Sequence, residues 1–223
     1  MELFRLLGIV PGVTAVIGSG GKSTLLRVLS RELPGRVLLC TSTHFLGYPE
    51  YPVILNPTEA SLRRAFAAHP VVCAARQTEN GKLRDCGLPY DLLTSLADFV
   101  VVEADGSRRL PLKAHAPHEP VIPSPCSKTV CVVGLSGLNQ PICRTVHRPE
   151  RFCSLTGAAA EDAATPELVA CALLREGLAD TFFLNQADNQ AALSLARCLS
   201  APLAAHGCRV IAGSLQAGVY TPL

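Results

Sequence analysis

Residues Val13 to Leu26 read Val-Thr-Ala-Val-Ile-Gly-Ser-Gly-Gly-Lys-Ser-Thr-Leu-Leu: an apolar run, a glycine-rich turn, a lysine, two hydroxyls and the start of a helical pattern. That order suits the polyphosphate tail of a nucleotide. Gly18, Gly20 and Gly21 reach backbone angles closed to other residues, so neighbouring N–H groups can converge on an anion. Lys22 supplies a mobile cation for the β and γ phosphates, and Ser23 a hydroxyl for Mg²⁺. The helix that follows brings unpaired N-terminal amides and the positive end of its dipole to the same point. The expected nucleotide-binding residues here are therefore Gly18, Ser19, Gly20, Gly21, Lys22, Ser23 and Thr24. The ligand would be ATP or GTP and the cofactor Mg²⁺.

The spacing is tighter than in the common phosphate-binding loop, whose first glycine stands five positions before the Gly-Lys pair. That slot is Val16, and the loop runs Gly18-x-x-Gly21-Lys22-Ser23-Thr24. This shortened form resembles the loops of the Mur ligases and folylpolyglutamate synthetases. The bland alternative is a glycine-rich turn with a chance lysine. A strand before and a helix after are the context that argues against it.

Other residues offer chemistry for the same ligand. Phe99-Val-Val-Val-Glu103-Ala-Asp105 is an apolar strand ending in acid, the Walker B pattern, so Glu103 and Asp105 are expected to hold Mg²⁺ or orient a nucleophile. Thr41-Ser-Thr43-His44 closes another strand-like run. Thr43 there can reach Mg²⁺ in the manner of a switch segment, and His44 can act as acid, base or phosphate donor. Leu184-Asn185-Gln-Ala-Asp188 is similar to the guanine-reading Asn-Lys-x-Asp motif, with Gln186 in the lysine slot. Asn185 and Asp188 are thus candidate base contacts, against helix capping by Asp188 as the plain alternative. Arg108, Arg109, Lys113, His115, His118 and Glu119 crowd one long proline-rich stretch. They suit a second anion site for a phosphorylated or carboxylated substrate, or otherwise a solvated surface loop. Arg144, His147 and Arg148 form a weaker basic cluster.

Elements must bring these residues together. The 223 residues suit one α/β domain, 48% apolar and 17% charged, which supports a substantial core. Seven continuous apolar runs read as strands buried on both faces: 13–17, 37–41, 71–75, 99–103, 129–134, 181–185 and 209–212. Helices are expected over 23–33, 58–68, 91–97, 166–176 and 190–206, the fourth started by Thr165-Pro166-Glu167. The pattern predicts a P-loop NTPase-like, mostly parallel sheet with helices on both faces. Asn80-Gly81 signals a hairpin turn in a small β excursion at 77–89. The aperiodic stretch 104–125 leaves the end of a strand, where ligands of open α/β sheets bind, and reads as a functional loop.

A net charge of +2 with scattered basic residues leaves no footprint for nucleic acid or an anionic membrane. Glu2 and Arg5 spoil the opening apolar stretch as an export signal, so a short amphipathic helix and a cytoplasmic protein are expected. The ten cysteines include no C-x-x-C pair, and reduced thiols follow. Cys40, Cys73 and Cys131 fall in apolar runs, while Cys86 and Cys126 read as exposed.

Six blocks taken together resemble one family, the selenium-dependent molybdenum hydroxylase accessory proteins. They are Gly18 to Thr24, Thr41 to His44, Glu103-Ala-Asp-Gly-Ser107, Lys113-Ala-His-Ala-Pro-His-Glu-Pro-Val-Ile-Pro123, Val146-His-Arg-Pro-Glu150 and Leu184 to Asp188. The resemblance implies a factor acting in the maturation of molybdopterin hydroxylases, with the molybdenum cofactor or a hydroxylase as partner. Two classes of activity fit: an Mg²⁺-dependent NTPase or phosphotransferase, and a nucleotide-gated chaperone or carrier with little intrinsic catalysis. Acyl-phosphate formation, after the Mur-like loop, would need further domains for which the chain has little room.

Overall fold

The computed structural model describes residues 1–45, 47–79 and 83–223, and of His44 and Phe45 the backbone alone. The first half contains α1 (Leu3–Leu6), β1 (Gly12–Gly18), α2 (Lys22–Glu32), β2 (Val37–Thr41), β3 (His44–Phe45), β4 (Val53–Leu55), α3 (Glu59–Ala68), β5 (Val71–Gln77), β6 (Leu83–Arg84), α4 (Tyr90–Leu96) and β7 (Phe99–Glu103). The second half contains β8 (Leu112–Lys113), β9 (Lys128–Gly134), α5 (Ile142–Thr145), β10 (Val146–His147), α6 (Pro149–Thr156), α7 (Pro166–Glu176), β11 (Thr181–Asn185), α8 (Gln190–Ala205), β12 (Arg209–Ser214) and β13 (Val219–Pro222). All seven expected strands and five expected helices form, with ends shifted by at most two residues.

The strands join in the order β13-β12-β11-β9-β1-β7-β2-β5-β6-β3, with β4 also on β5. The run from β12 to β5 is parallel, as is β4 on β5. Antiparallel pairing is confined to the margins: β13 on β12, β6 on β5 and β3 on β6. The Asn80-Gly81 turn signal lies outside the described residues.

Alternation explains why these strands read as unbroken apolar runs. Val13, Ala15 and Ile17 face clusters covered by α3 and α4 in one half of the sheet and by α6, α7 and α8 in the other. Val16 points the opposite way, into a cluster with Leu25, Leu26 and Leu29 of α2 and Leu3 of α1. Both faces are dry along the middle of these strands, so their central positions are mostly apolar, with Thr14 a buried polar exception. Helix α6 was not expected from the sequence. It has the local signals, Pro149 at its first turn and Gly157 left-handed at its C-cap, but it is only eight residues long.

The topology sets the site. β1 lies between β7 and β9, and the chain crosses β1 on its way from one to the other. Crossing points of this kind, at the carboxyl ends of parallel strands, are where open α/β sheets bind ligands. The crossing segment is 104–127, carried by loop and by β8 pairing with β10 rather than by a helix. Among the described residues no helix is long and apolar enough to cross a membrane. All ten cysteines are free, and Cys86, expected to be exposed, is buried, its thiol pushed up in pKa by that burial.

Candidate nucleotide site

The turn after β1 is tightly embedded. Gly20 and Gly21 have φ of +83° and +138°; a Cβ on Gly20 would stand 2.4 Å from the Gly134 Cα, and one on Gly21 2.3 Å from Asn185 Nδ2. Side chains cannot be accommodated there, so the glycines serve both conformation and close approach. Lys22, first residue of α2, curls back over the turn. Its Nζ donates to the Gly18 carbonyl at 2.7 Å and stands 3.0 Å from Asp105 Oδ1 and 3.9 Å from Glu103 Oε1. Two amides of the turn are already engaged: Gly18 N donates to Asp105 Oδ2 (2.9 Å) and Ser19 N to Val132 O (2.8 Å). Those of Gly20, Gly21, Lys22, Ser23 and Thr24 have no protein acceptor among the described residues. Ser19 is a departure from expectation. It is buried, and its hydroxyl donates to the Leu110 carbonyl, so it fastens the turn to the crossing segment.

The two acids of the β7 end divide their labour. Glu103 faces the opening, its Oε2 3.4 Å from Ser23 Oγ. Burial pushes its pKa up and nearby Asp105 adds to that, while Lys22 opposes. Asp105, expected as a metal ligand, is instead a buried counter-ion. Its Oδ2 accepts from Gly18 N, stands 2.8 Å from His115 Nε2 and 3.3 Å from Lys113 Nζ, while Oδ1 has only the Lys22 ammonium, off a hydrogen-bonding direction. Burial alone would raise its pKa; the His115 bond, Lys22 and Lys113 outweigh it and hold the carboxyl at about 2.

Three residues expected at a substrate site belong to this internal network. His115 is sandwiched between Asp105 and Glu176 (Nδ1–Oε2 2.7 Å), and its backbone N donates to Glu176 Oε1 at 2.6 Å. Burial opposes its protonation, yet the two carboxylates together raise its pKa. Lys113 has a fully buried side chain bonded to the Gly106 carbonyl (2.6 Å), with Glu119 at 3.1 Å. Glu119 in turn accepts from Arg148 Nε at 2.6 Å. Its carboxyl is held near 2, burial being outweighed by Arg148 and Lys113. These pairings hold the crossing segment in place, and Glu119 also lines a cavity.

By contrast, Arg108 and Arg109 are exposed, left-handed (φ +49° and +63°), and have no hydrogen bond or ion pair among the described residues. His118 is exposed near Arg148. Thr43 is half-buried, with its N–H on Thr41 Oγ1 (3.0 Å). His44 lies in β3, and its side chain is outside the described residues.

The Asn-x-x-Asp motif splits likewise. Asn185 donates from Nδ2 to the Gly20 carbonyl (2.8 Å) and accepts at Oδ1 from Leu215 N (3.2 Å), so it braces the glycine turn against the end of β12. Gln186 accepts from Ser136 N. The cap of α8 is Asn189, whose side chain accepts from Ala192 N, not Asp188. Asp188 is exposed and has no hydrogen bond or ion pair among the described residues.

These parts line two adjoining cavities. One, of about 830 Å³, runs from Gly20–Thr24 past Arg109 and Ser136 to Asp188 and Gln216. The other, of about 860 Å³, takes in Thr43, Arg76, Arg84, Tyr90, His147 and Arg148. Glu103, Ser107 and Arg108 line both. Arg76, Arg84 and Tyr90 were not singled out from sequence. They stand on β5, β6 and α4, and carry no local motif. Among the described residues no three His, Cys, Asp or Glu side chains converge as a metal cluster.

A family model described as YqeC protein matches residues 14–150. That stretch includes the glycine turn, Glu103, the crossing segment and Arg148, and excludes Asn185 and Asp188. The uncharacterized protein YqeC of Escherichia coli (strain K12) is 32% identical over 157 residues, 66% of this chain and 61% of that protein. The alignment thus spans about three fifths of the length of the curated relative.

Proposed function

The chain belongs to the YqeC protein family, and from that premise we propose that it is an Mg²⁺-dependent nucleoside triphosphate-binding protein, an NTPase or phosphotransferase. Its cellular role in this reading is that of a cytoplasmic accessory factor in the maturation of selenium-dependent molybdenum hydroxylases, a role supported by the six-block resemblance. One observation carries the biochemical half. Five unengaged amides, the curled Lys22 ammonium and the Ser23–Glu103 oxygen pair meet at the mouth of one cavity.

The donor set fits Mg²⁺. Hydroxyl and carboxylate oxygens are the ligands it prefers, and Mg²⁺ keeps most of its waters and substrate phosphates, so two protein oxygens suffice. Ser23 and Glu103 would hold it, and when bound it would neutralise charge on the β and γ phosphates. The chain's own residues do the rest. The amides of Gly20 to Thr24 bind phosphate oxygens, and Lys22 shifts from the Gly18 carbonyl to the γ-phosphate without leaving the turn. Arg108 and Arg109 add charge from the crossing segment. Positioning and charge neutralisation are most of what phosphoryl transfer demands. Asp188, an acceptor-only carboxylate, suits a base edge that presents N–H donors, which favours guanine over adenine.

Calorimetric titration with ATP and GTP tests this reading. Lys22→Ala is expected to abolish nucleotide binding, with circular dichroism confirming that the variant folds, since Lys22 also neutralises Asp105. Glu103→Gln is expected to bind nucleotide and lose turnover. Undiminished affinity in Lys22→Ala would overturn the proposal. Slow turnover accelerated by a hydroxylase partner would move it to the nucleotide-gated carrier.

A further inference from the structure

Resting on that nucleotide reading, we propose that the adjoining 860 Å³ cavity binds a small oxyanion-bearing co-substrate, a phosphate ester or a carboxylate, beside the terminal phosphate. The charge balance of its wall is the reason. Arg76 is paired with Asp85 at 3.3 Å, and Arg148 with Glu119 at 2.6 Å. Glu119 and Asp105 are already shared with Lys113, and Asp105 also with Lys22. The remaining lining acid among the described residues, Glu103, faces the Lys22 ammonium at 3.9 Å. Arg84 and Arg108 are then left over, on β6 and on the crossing segment, with no acidic partner among the described residues.

His147 stands in the same wall. Its pKa is lowered, first by burial and then by Lys113 and Arg148, with a smaller part from Arg108, while Glu119 opposes. A concave wall with two unspent guanidinium forks is the environment oxyanions seek. The volume is that of a small-molecule site, larger than a bare phosphate requires. Tyr90, Val121 and Pro123 supply apolar wall for the body of such a molecule. Because Arg108 lines both cavities, it can face the terminal phosphate and the co-substrate anion together, which places the second ligand within reach of the first.

Two probes distinguish the sources of the oxyanion: phenyl phosphate and benzoate, followed by saturation-transfer NMR on protein held with Mg²⁺ and a non-hydrolysable nucleotide. At least one probe is expected to bind with the nucleotide in place. Arg84→Gln should weaken it by roughly tenfold, the worth of one charge-assisted contact. Nucleotide affinity should stay within about twofold, and Arg64→Gln, a solvent-facing control, should change neither. Absence of binding by both probes, equal binding in Arg84→Gln, or full displacement by the nucleotide would overturn the proposal. Were the nucleotide itself not to bind, the reading above would fall separately. Probe binding with and without the Arg84→Gln change, compared in a Lys22→Ala background, would still decide this cavity.

Discussion

Asp105 shows how one buried carboxylate can tie distant segments of a chain together. Completely buried, it gathers a backbone amide, two ammonium groups and an imidazole, and so ties the glycine turn to the crossing segment and, through His115, to Glu176 at the end of α7. The pH dependence follows from the two shifts. The pKa of His115 is raised above 6.5, so its pairing contributes fully below that value and is lost as pH rises through the raised one. Asp105, held at about 2 against an ordinary 3.8, contributes fully above 3.8 and loses its share as pH falls toward 2. Scanning calorimetry of wild type and His115→Gln across neutral and alkaline pH checks the first half. The gap in melting temperature is expected to narrow as pH rises, and a constant gap would show that His115 does not stabilise as a cation. Removing the acid is the harsher change. Asp105→Asn is expected to cost about 3 kcal/mol in urea unfolding, because it leaves buried cations uncompensated.

At the level of elements, the turn between β1 and α2 is held from three sides: by Ser19 on Leu110, by Asn185 on Gly20, and by the close approach of Gly20 to Gly134. Gly20→Ala places a side chain in the left-handed region, at about 1–2 kcal/mol, and adds a backbone collision at Gly134. Lower stability together with reduced nucleotide affinity is expected, and unchanged affinity by calorimetry would mean that the turn does not hold phosphate. In the proposed reading, the start of α8 separates structure from recognition. Asn189→Ala should cost about 1 kcal/mol through loss of the cap. Asp188→Asn should leave the melting temperature unchanged and alter the preference between GTP and ATP. A stability loss at Asp188 instead of Asn189 would reverse these roles.

For the whole molecule, the decisive arrangement is β1 between β7 and β9, with the chain crossing over it. This brings residues from the 20–24, 103–110, 135–136, 185–192 and 214–216 segments to one cavity. A ligand that binds only the folded chain should raise its melting temperature by mass action, about 2.7 kcal/mol of apparent stability at a hundredfold excess over Kd. A thermal-shift panel of ATP, GTP and CTP, with and without Mg²⁺, is expected to show a metal-dependent shift, larger for GTP. No shift with any of the three would count against a nucleotide site in this fold.

Local pattern determined the strands of the sheet, the helices that flank them and the glycine turn, because burial on both faces and the glycine-lysine order leave their mark in consecutive residues. Which polar side chains remain available to a ligand was decided only by tertiary structure. Lys113, His115 and Glu119 look like substrate residues in one dimension and turn out to be spent on Asp105, Glu176 and Arg148. Arg84 and Arg76, silent in the sequence, reach the second cavity because β6 folds back on β5. A charge is free or neutralised according to what lies within a few ångströms of it, and those neighbours come from chain segments that no local window contains.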